Sequence, residues 1–311
     1  MGHHWSKSIV TDCQKIVTYF RNSHQPNAFL ENTSKILNIS NRLKSSNTTR
    51  ITSVYLSIQS VQENECSIKQ VCQQNQDIIK NKEVKRIIAS RLFWSNLEVL
   101  CNFLEPFSKV ITSIQSNFAS LADVTRYWVF LTKSIEKRLE EFPTEFAKHV
   151  IFAFNKRKLE MSSHSTRLAL FLDPRYRKAC DDGDNFKSIV LAGLEIMHSR
   201  KYGSHDLMNL KNQLLIYRTF SPPYSSVSFG GSNFQPKEWW LRLENNDNKI
   251  LVQLVTILYD IVPHAAAPER TISIFGWLHN KRRNKLNIEK TSMMAAIHLS
   301  HSNTMKQNNQ W

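Results

Sequence analysis

The chain has 311 residues, 41% hydrophobic and 22% charged, enough for two domains with real cores. Lysine and arginine total 41 against 26 acids, a formal net charge of +15; such an excess attracts polyanions, nucleic acid first among them, or else marks a basic surface tuned for solubility. No apolar run reaches the roughly 18 residues of a membrane helix, Met1-Gly2-His3-His4-Trp5 has no cationic stretch leading into an apolar one, and the five cysteines form no CxxC pair or zinc-ligand spacing; the expectation is a cytosolic or nuclear protein with reduced thiols, no membrane partner and no zinc finger.

Seven glycines and little strand-like alternation predict a mostly helical chain. Helices are predicted near 7–22, 52–61, 66–80, 120–139 and 144–158. The stretch from Arg42 to Thr49 reads as a loop, and Arg50-Ile51-Thr52-Ser53-Val54-Tyr55 as either a short strand or the opening of a helix. Phe93, Leu97, Leu100, Leu104, Phe107, Ile111, Ile114 and Phe118 alternate in steps of four and three, which is one face of a helix; Pro106 inside that pattern predicts a kink or a break. Ser120-Leu121-Ala122-Asp123 has the form of a capping box, and Asp173-Pro174-Arg175-Tyr176 that of a turn closing a short apolar segment. Thr219 to Gly231, rich in Ser, Pro and Gly, is the best linker or long loop. After Trp239-Trp240 comes Ile250 to Ile261, apolar around most of a helical circumference and so destined for a core or an obligate interface. Pro268 and Glu269 make a good helix start, because proline fits the first position and an acid favours the positive end. Phe275 and Trp277 supply bulk, and Leu286, Met293, Met294, Ile297 and Leu299 form a last amphipathic stretch before a polar tail, which is expected to be disordered.

Lys281-Arg282-Arg283-Asn284-Lys285 carries four cations in five residues and has three open readings: contact with DNA phosphate, a nuclear import signal, or a solvated helix end. Asn155-Lys156-Arg157-Lys158 and Lys82 to Arg86 are weaker clusters, with no aromatic interleaved as in a single-strand stacking platform. The chain has no Gly-rich phosphate loop and no G-x-S-x-G elbow. His264 reads as a hydrogen-bonded turn residue, and His3 and His4 as weak metal binders at most.

The stretch PHAAAPERTISIFGWLHNKRRNKL, from Pro263 to Leu286, resembles the C-terminal signature of the hAT family of DNA transposases. Other segments agree in order: Asp12-Cys13-Gln14-Lys15-Ile16-Val17 with Phe20-Arg21, Leu104-Glu105-Pro106-Phe107, Leu121-Ala122-Asp123, Leu172 to Tyr176, and Trp239-Trp240. The likeness extends over nearly the whole chain and is most specific over 236–299. It implies a mostly α (α+β) protein with a partial ribonuclease H-like core in 1–65, a large all-helical insertion in 66–235, a C-terminal dimerisation segment in 236–302 and a tail in 303–311. Dimerisation is then expected to use Leu254, Ile257, Leu258, Ile274, Phe275, Trp277, Leu286, Met293, Met294 and Ile297.

The family holds two divalent cations, Mg2+ or Mn2+, on three acids, because hard cations take carboxylate oxygen. Glu269 matches the third acid, whereas the first two fall upstream of Met1 and Asp12 matches a noncatalytic stretch. A Thr-Arg-Trp element, whose Trp in the family stacks on DNA bases, reads Thr49-Arg50-Ile51 here; isoleucine has no π face to offer. The implied protein is nuclear, with no cofactor of its own and no catalysis, binding DNA weakly through Arg50, Lys281, Arg282, Arg283 and Lys285. Its expected partners are a second copy or full-length relatives. The alternative is a subunit of an active transposase, with the missing acids and the metal ions supplied from elsewhere.

Overall fold

The computed structural model describes residues 2–46, 50–74, 78–116, 119–177, 183–225, 235–278 and 287–297, with the backbone alone at 183–185, 267, 270 and 277. Every regular element among them is helical. In chain order these are α1 (His4–Asn22), α2 (His24–Ile36), α3 (Ile51–Glu63), α4 (Glu65–Gln74), α5 (Lys82–Ala89), α6 (Arg91–Ile114) and α7 (Leu121–Glu136). There follow α8 (Thr144–Met161), α9 (His164–Phe171), α10 (Gly183–Ser199), α11 (Ser204–Arg218), α12 (Pro236–Arg242), α13 (Lys249–Tyr259), α14 (Ala266–Leu278) and α15 (288–297). The mostly helical class is as expected.

A first core gathers the apolar stripes of α1 and α3 to α6. Ile9, Cys13, Ile16, Val17 and Phe20 line one face of α1, Val54, Ile58 and Val61 one face of α3, and both meet Phe93, Leu97, Leu100 and Leu104 of α6. Side-chain caps set the starts: Asn81 Oδ1 accepts from the Glu83 and Val84 amides before α5, and Ser90 Oγ from the Phe93 amide before α6. Phe103, Phe142 and Phe146 close the core edge to face, with ring centroids 5.1–5.9 Å apart.

A second core joins α9 to α13. Leu168 and Phe171, Leu210, Leu214 and Tyr217, Trp240, and Leu251, Leu254, Val255 and Leu258 are all fully buried in it. Helix α7 links the two cores, with Ile135 in the first and Leu121 against the second. Close approach of α10 to its neighbours needs Gly193, where a Cβ would stand 3.2 Å from Leu254 Cδ2.

Several expectations are corrected. Residues 50–55 open helix α3, and no strand occurs among the described residues, so 1–65 carries no visible sheet of a ribonuclease H-like core. The apolar spacing there runs in threes and fours, which buries one helix face and has no period of two to feed a sheet. Across the expected boundaries, α1 and α3 share a core with α4 to α6, and Trp239-Trp240 share one with α9 to α11. The helix expected over 66–80 ends at Gln74, and a new one begins at Lys82. Helix α6 runs through Pro106 as one element with no break, and Pro106 is buried. The stretch from 219 is no free linker as far as 225, because Tyr224 is buried, donates from its hydroxyl to Gln213 Oε1 at 3.0 Å, and gives its carbonyl to Arg177 Nη2. The rest of that stretch and the tail lie outside the described residues.

Candidate nucleic-acid interface

Helix α2 ends in a Schellman turn. Asn38 takes a left-handed conformation (φ 56°), the Ile39 amide donates to Ser34 O at 2.8 Å and the Asn38 amide to Lys35 O at 3.1 Å. From there residues 39–46 run without regular structure between α1, α2 and α3. Buried Asn64 anchors them: its Nδ2 donates to Asn41 O (2.8 Å) and Ser60 O (2.9 Å), and its Oδ1 accepts from Ser34 Oγ (3.0 Å). The Lys44 amide donates to Ser60 Oγ (2.9 Å), Arg21 Nη1 to Ser45 Oγ (2.6 Å) and Gln14 Nε2 to Ser46 Oγ (3.0 Å). Leu43 packs onto the first core, while Arg42 and Lys44 on either side of it stay exposed.

This strap walls a cleft of about 910 Å³. Arg21, Lys35, Arg42, Lys44 and Arg50 line it against a single carboxylate, Glu31. Arg21 and Lys35 sit in the last turns of α1 and α2, where cations are favoured by the helix dipole whatever else they do. The other three have no such task. Arg42, 80% exposed, reaches Glu31 only at 3.9 Å, a pair of small worth in water. Arg50 occupies the N-cap of α3, where a positive charge opposes the positive end of the dipole by about 0.3–1 kcal/mol. The Arg50 side chain makes no capping hydrogen bond and no acid stands in the first turn, whose Thr52 and Ser53 also line the cleft. An anion bound at that helix start relieves the local conflict at Arg50, in a cleft that Arg42 and Lys44 also line.

Of the cations expected to contact DNA, Arg50 is therefore in the cleft; Lys281, Arg282, Arg283 and Lys285 lie outside the described residues. Arg21, Lys35, Arg42 and Lys44 were missed by sequence reasoning because no run gathers them. A quieter signal was present: between Asp12 and Glu63 the only acid is Glu31.

A second assembly brings together segments that carry the family likeness. The Ser120 amide (3.0 Å) and hydroxyl (2.9 Å) donate to Asp123 Oδ2, completing the capping box of α7. Asp173, fully buried, accepts from the Arg175 amide (2.9 Å), Nε (2.9 Å) and Nη2 (2.6 Å), and Arg175 Nη2 lies 3.8 Å from Asp123. Burial alone lowers the Arg175 pKa, but Asp173 outweighs it and raises the net value. Trp240 Nε1 donates to Leu172 O at 2.8 Å, and His264 bridges the Ala266 amide and Ser116 O. Burial holds the nearby Tyr259 hydroxyl well above the ordinary tyrosine range. The Asp123, Asp173 and Arg175 groups are paired with one another, whereas the buried Tyr259 hydroxyl has no hydrogen-bond partner among the described residues.

Glu269 is exposed in the first turn of α14, and no group of three or more His, Cys, Asp or Glu able to hold a metal ion occurs among the described residues. A set of carboxylates for two cations is not offered by them, so no step through such ions follows. His3 caps α1 through Nδ1, which accepts from the Trp5 amide. Among the residues expected at a dimer contact, Leu254 (0% exposed) and Leu258 (1%) lie in the chain's own second core, since α13 is apolar on nearly every side. Ile257, Ile274 and Phe275 are half-buried; Met293 (66%), Met294 and Ile297 (70%) are open to solvent; Leu286 and the Trp277 side chain lie outside the described residues. No described helix is long and apolar enough to cross a membrane. No family model matches the chain, and the search of curated proteins returns no match either.

Proposed function

We propose that this chain is a transposase-derived nuclear protein that binds DNA along its phosphate backbone in the cleft between α1, α2 and α3, self-associates through α14 and α15, and cuts no DNA by itself. One observation carries the DNA-binding reading: the cleft has five cations against one carboxylate, and Arg42, Lys44 and Arg50 serve no helix end that wants a positive charge. Backbone contacts of this kind bind without reading sequence and weaken steeply with salt. The exposed apolar residues Ile272, Ile288, Met293 and Ile297 support self-association, because a neighbouring copy would remove them from water at about 25 cal/mol per Å² before association costs. The order of the family-like segments supports the ancestry. The Lys281–Lys285 run supports a nuclear location.

The test is fluorescence anisotropy with a short DNA duplex over roughly 50–200 mM salt. Arg42→Gln, Lys44→Gln and Arg50→Gln should each reduce the slope of log K against log salt by about 0.9. Binding with an unchanged slope in all three variants refutes the cleft as the site. For self-association, a sedimenting monomer at micromolar concentration, with no shift on Met293→Asp or Ile297→Asp, refutes that part.

A further inference from the structure

The strap carries a hydroxyl that the nucleic-acid reading does not use. Ser45 is exposed on the irregular 39–46 segment, its Oγ 2.6 Å from Arg21 Nη1 and facing the same cleft as Lys44 and Arg50. Arg42 stands three residues before it and Lys44 immediately before it, a charge pattern that arginine-directed protein kinases select. We infer that Ser45 is a phosphorylation site and that its phosphate occupies the cleft in place of nucleic acid. The regulatory half of this inference rests on the DNA-binding function proposed above.

The chemistry is a phosphoryl transfer. The γ-phosphorus of ATP forms a bond to Ser45 Oγ and loses its bond to the bridging oxygen of ADP, and the hydroxyl proton passes to the kinase's catalytic base. The product carries about −1.5 to −2 charges and three strong acceptor oxygens. Arg21 already touches the oxygen that would bear them, so the phosphate is held where it forms, with Lys44 beside it in the chain. The cleft's formal excess of four positive charges, from five cations and Glu31, falls to about two. Three neighbouring hydroxyls are poorer acceptors: Ser46 is half-buried and held by Gln14, Ser34 is buried under Asn64, and exposed Ser40 has Leu37 where Ser45 has Arg42. Dephosphorylation by a phosphatase reopens the site.

The experiment treats the full chain with MgATP and an arginine-directed serine/threonine kinase, and maps the phosphate by mass spectrometry. Incorporation is expected at Ser45, absent in Ser45→Ala, retained in Ser46→Ala and slowed at least tenfold by Arg42→Ala. The phosphorylated chain should bind the DNA duplex at least tenfold more weakly than the unmodified chain, and phosphatase should restore binding. Independently of DNA, phosphorylation should protect the 39–46 strap from protease, and Arg21→Ala should abolish that protection. Phosphate found only elsewhere, or at Ser45 without Arg21-dependent protection, overturns the inference. If protection is seen and neither form binds DNA, the phosphate cradle stands and the DNA-binding function falls.

Discussion

Replacing Asn64 by alanine tests whether the cleft is a built structure or a chance gap. The amide is 1% exposed and makes three hydrogen bonds, to Asn41 O, Ser60 O and Ser34 Oγ, at 2.8, 2.9 and 3.0 Å. Each such bond contributes about 1 kcal/mol net, and the buried partners left unpaired add further cost. Ser60 O keeps its place on the helix, and Asn41 O lies where water can reach it, so the full penalty of an orphaned group falls mainly on Ser34. The expected loss is about 2–4 kcal/mol, which lowers the melting temperature by roughly 3–6 °C. Because the strap holds Arg42 and Lys44 in place, DNA affinity should fall in the same variant although no charge is altered. Asn64→Asp should be at least as damaging, since a carboxylate cannot donate to either carbonyl. Thermal unfolding and anisotropy on the same samples measure both effects. A loss under 1 kcal/mol with unchanged DNA affinity refutes the claim that Asn64 holds the strap.

Lys201 ends α10 in a left-handed conformation (φ 68°) with its side chain in solvent, so Lys201→Gly should stabilise the chain by about 0.5–1 kcal/mol in thermal unfolding. Gly193→Val should cost about 1–3 kcal/mol by crowding Leu254, Leu214 and Leu168, and a stability equal to the parent's would contradict the close packing of α10. Burial pushes the Cys101 thiol up to about 12 and the Cys13 thiol higher still, from an ordinary 9.0. The folded state thus keeps thiol protons that the unfolded chain releases, so this contribution is complete below about pH 9 and is lost as pH rises toward 12. Denaturant titrations across that range should show the decline, reduced in Cys101→Ala. A thiol reagent at pH 8 should leave Cys13 and Cys101 unlabelled while Cys66 reacts.

Much of the fold is written in local chemistry. The three-and-four spacing of Ile9, Cys13, Ile16 and Phe20, or of Phe93, Leu97, Leu100 and Leu104, needs no partner to be read, and Ser120 with Asp123 makes its capping box within four residues. Helices without such a stripe escaped: α11 is apolar on scattered sides, and α2 begins with His-Gln-Pro, none of which marks a start. Pro106 does not break α6, which continues on both sides of it with the ring buried, because a proline's cost is set by what packs around it.

The candidate site divides in the same way. Arg50 was legible as a cation at the start of an element, and the near absence of acids between Asp12 and Glu63 belongs to the sequence alone. That Arg21, Lys35, Arg42, Lys44 and Arg50 face one cleft was decided by tertiary structure, through the left-handed turn at Asn38 and the grip of Asn64 on the strap. Burial was decided there too: Leu254 and Leu258 read equally well as core or interface, and only the neighbours supplied by α9, α10 and α11 put them inside. Periodicity records which face of a helix avoids water, and the rest of the folded chain determines what covers that face.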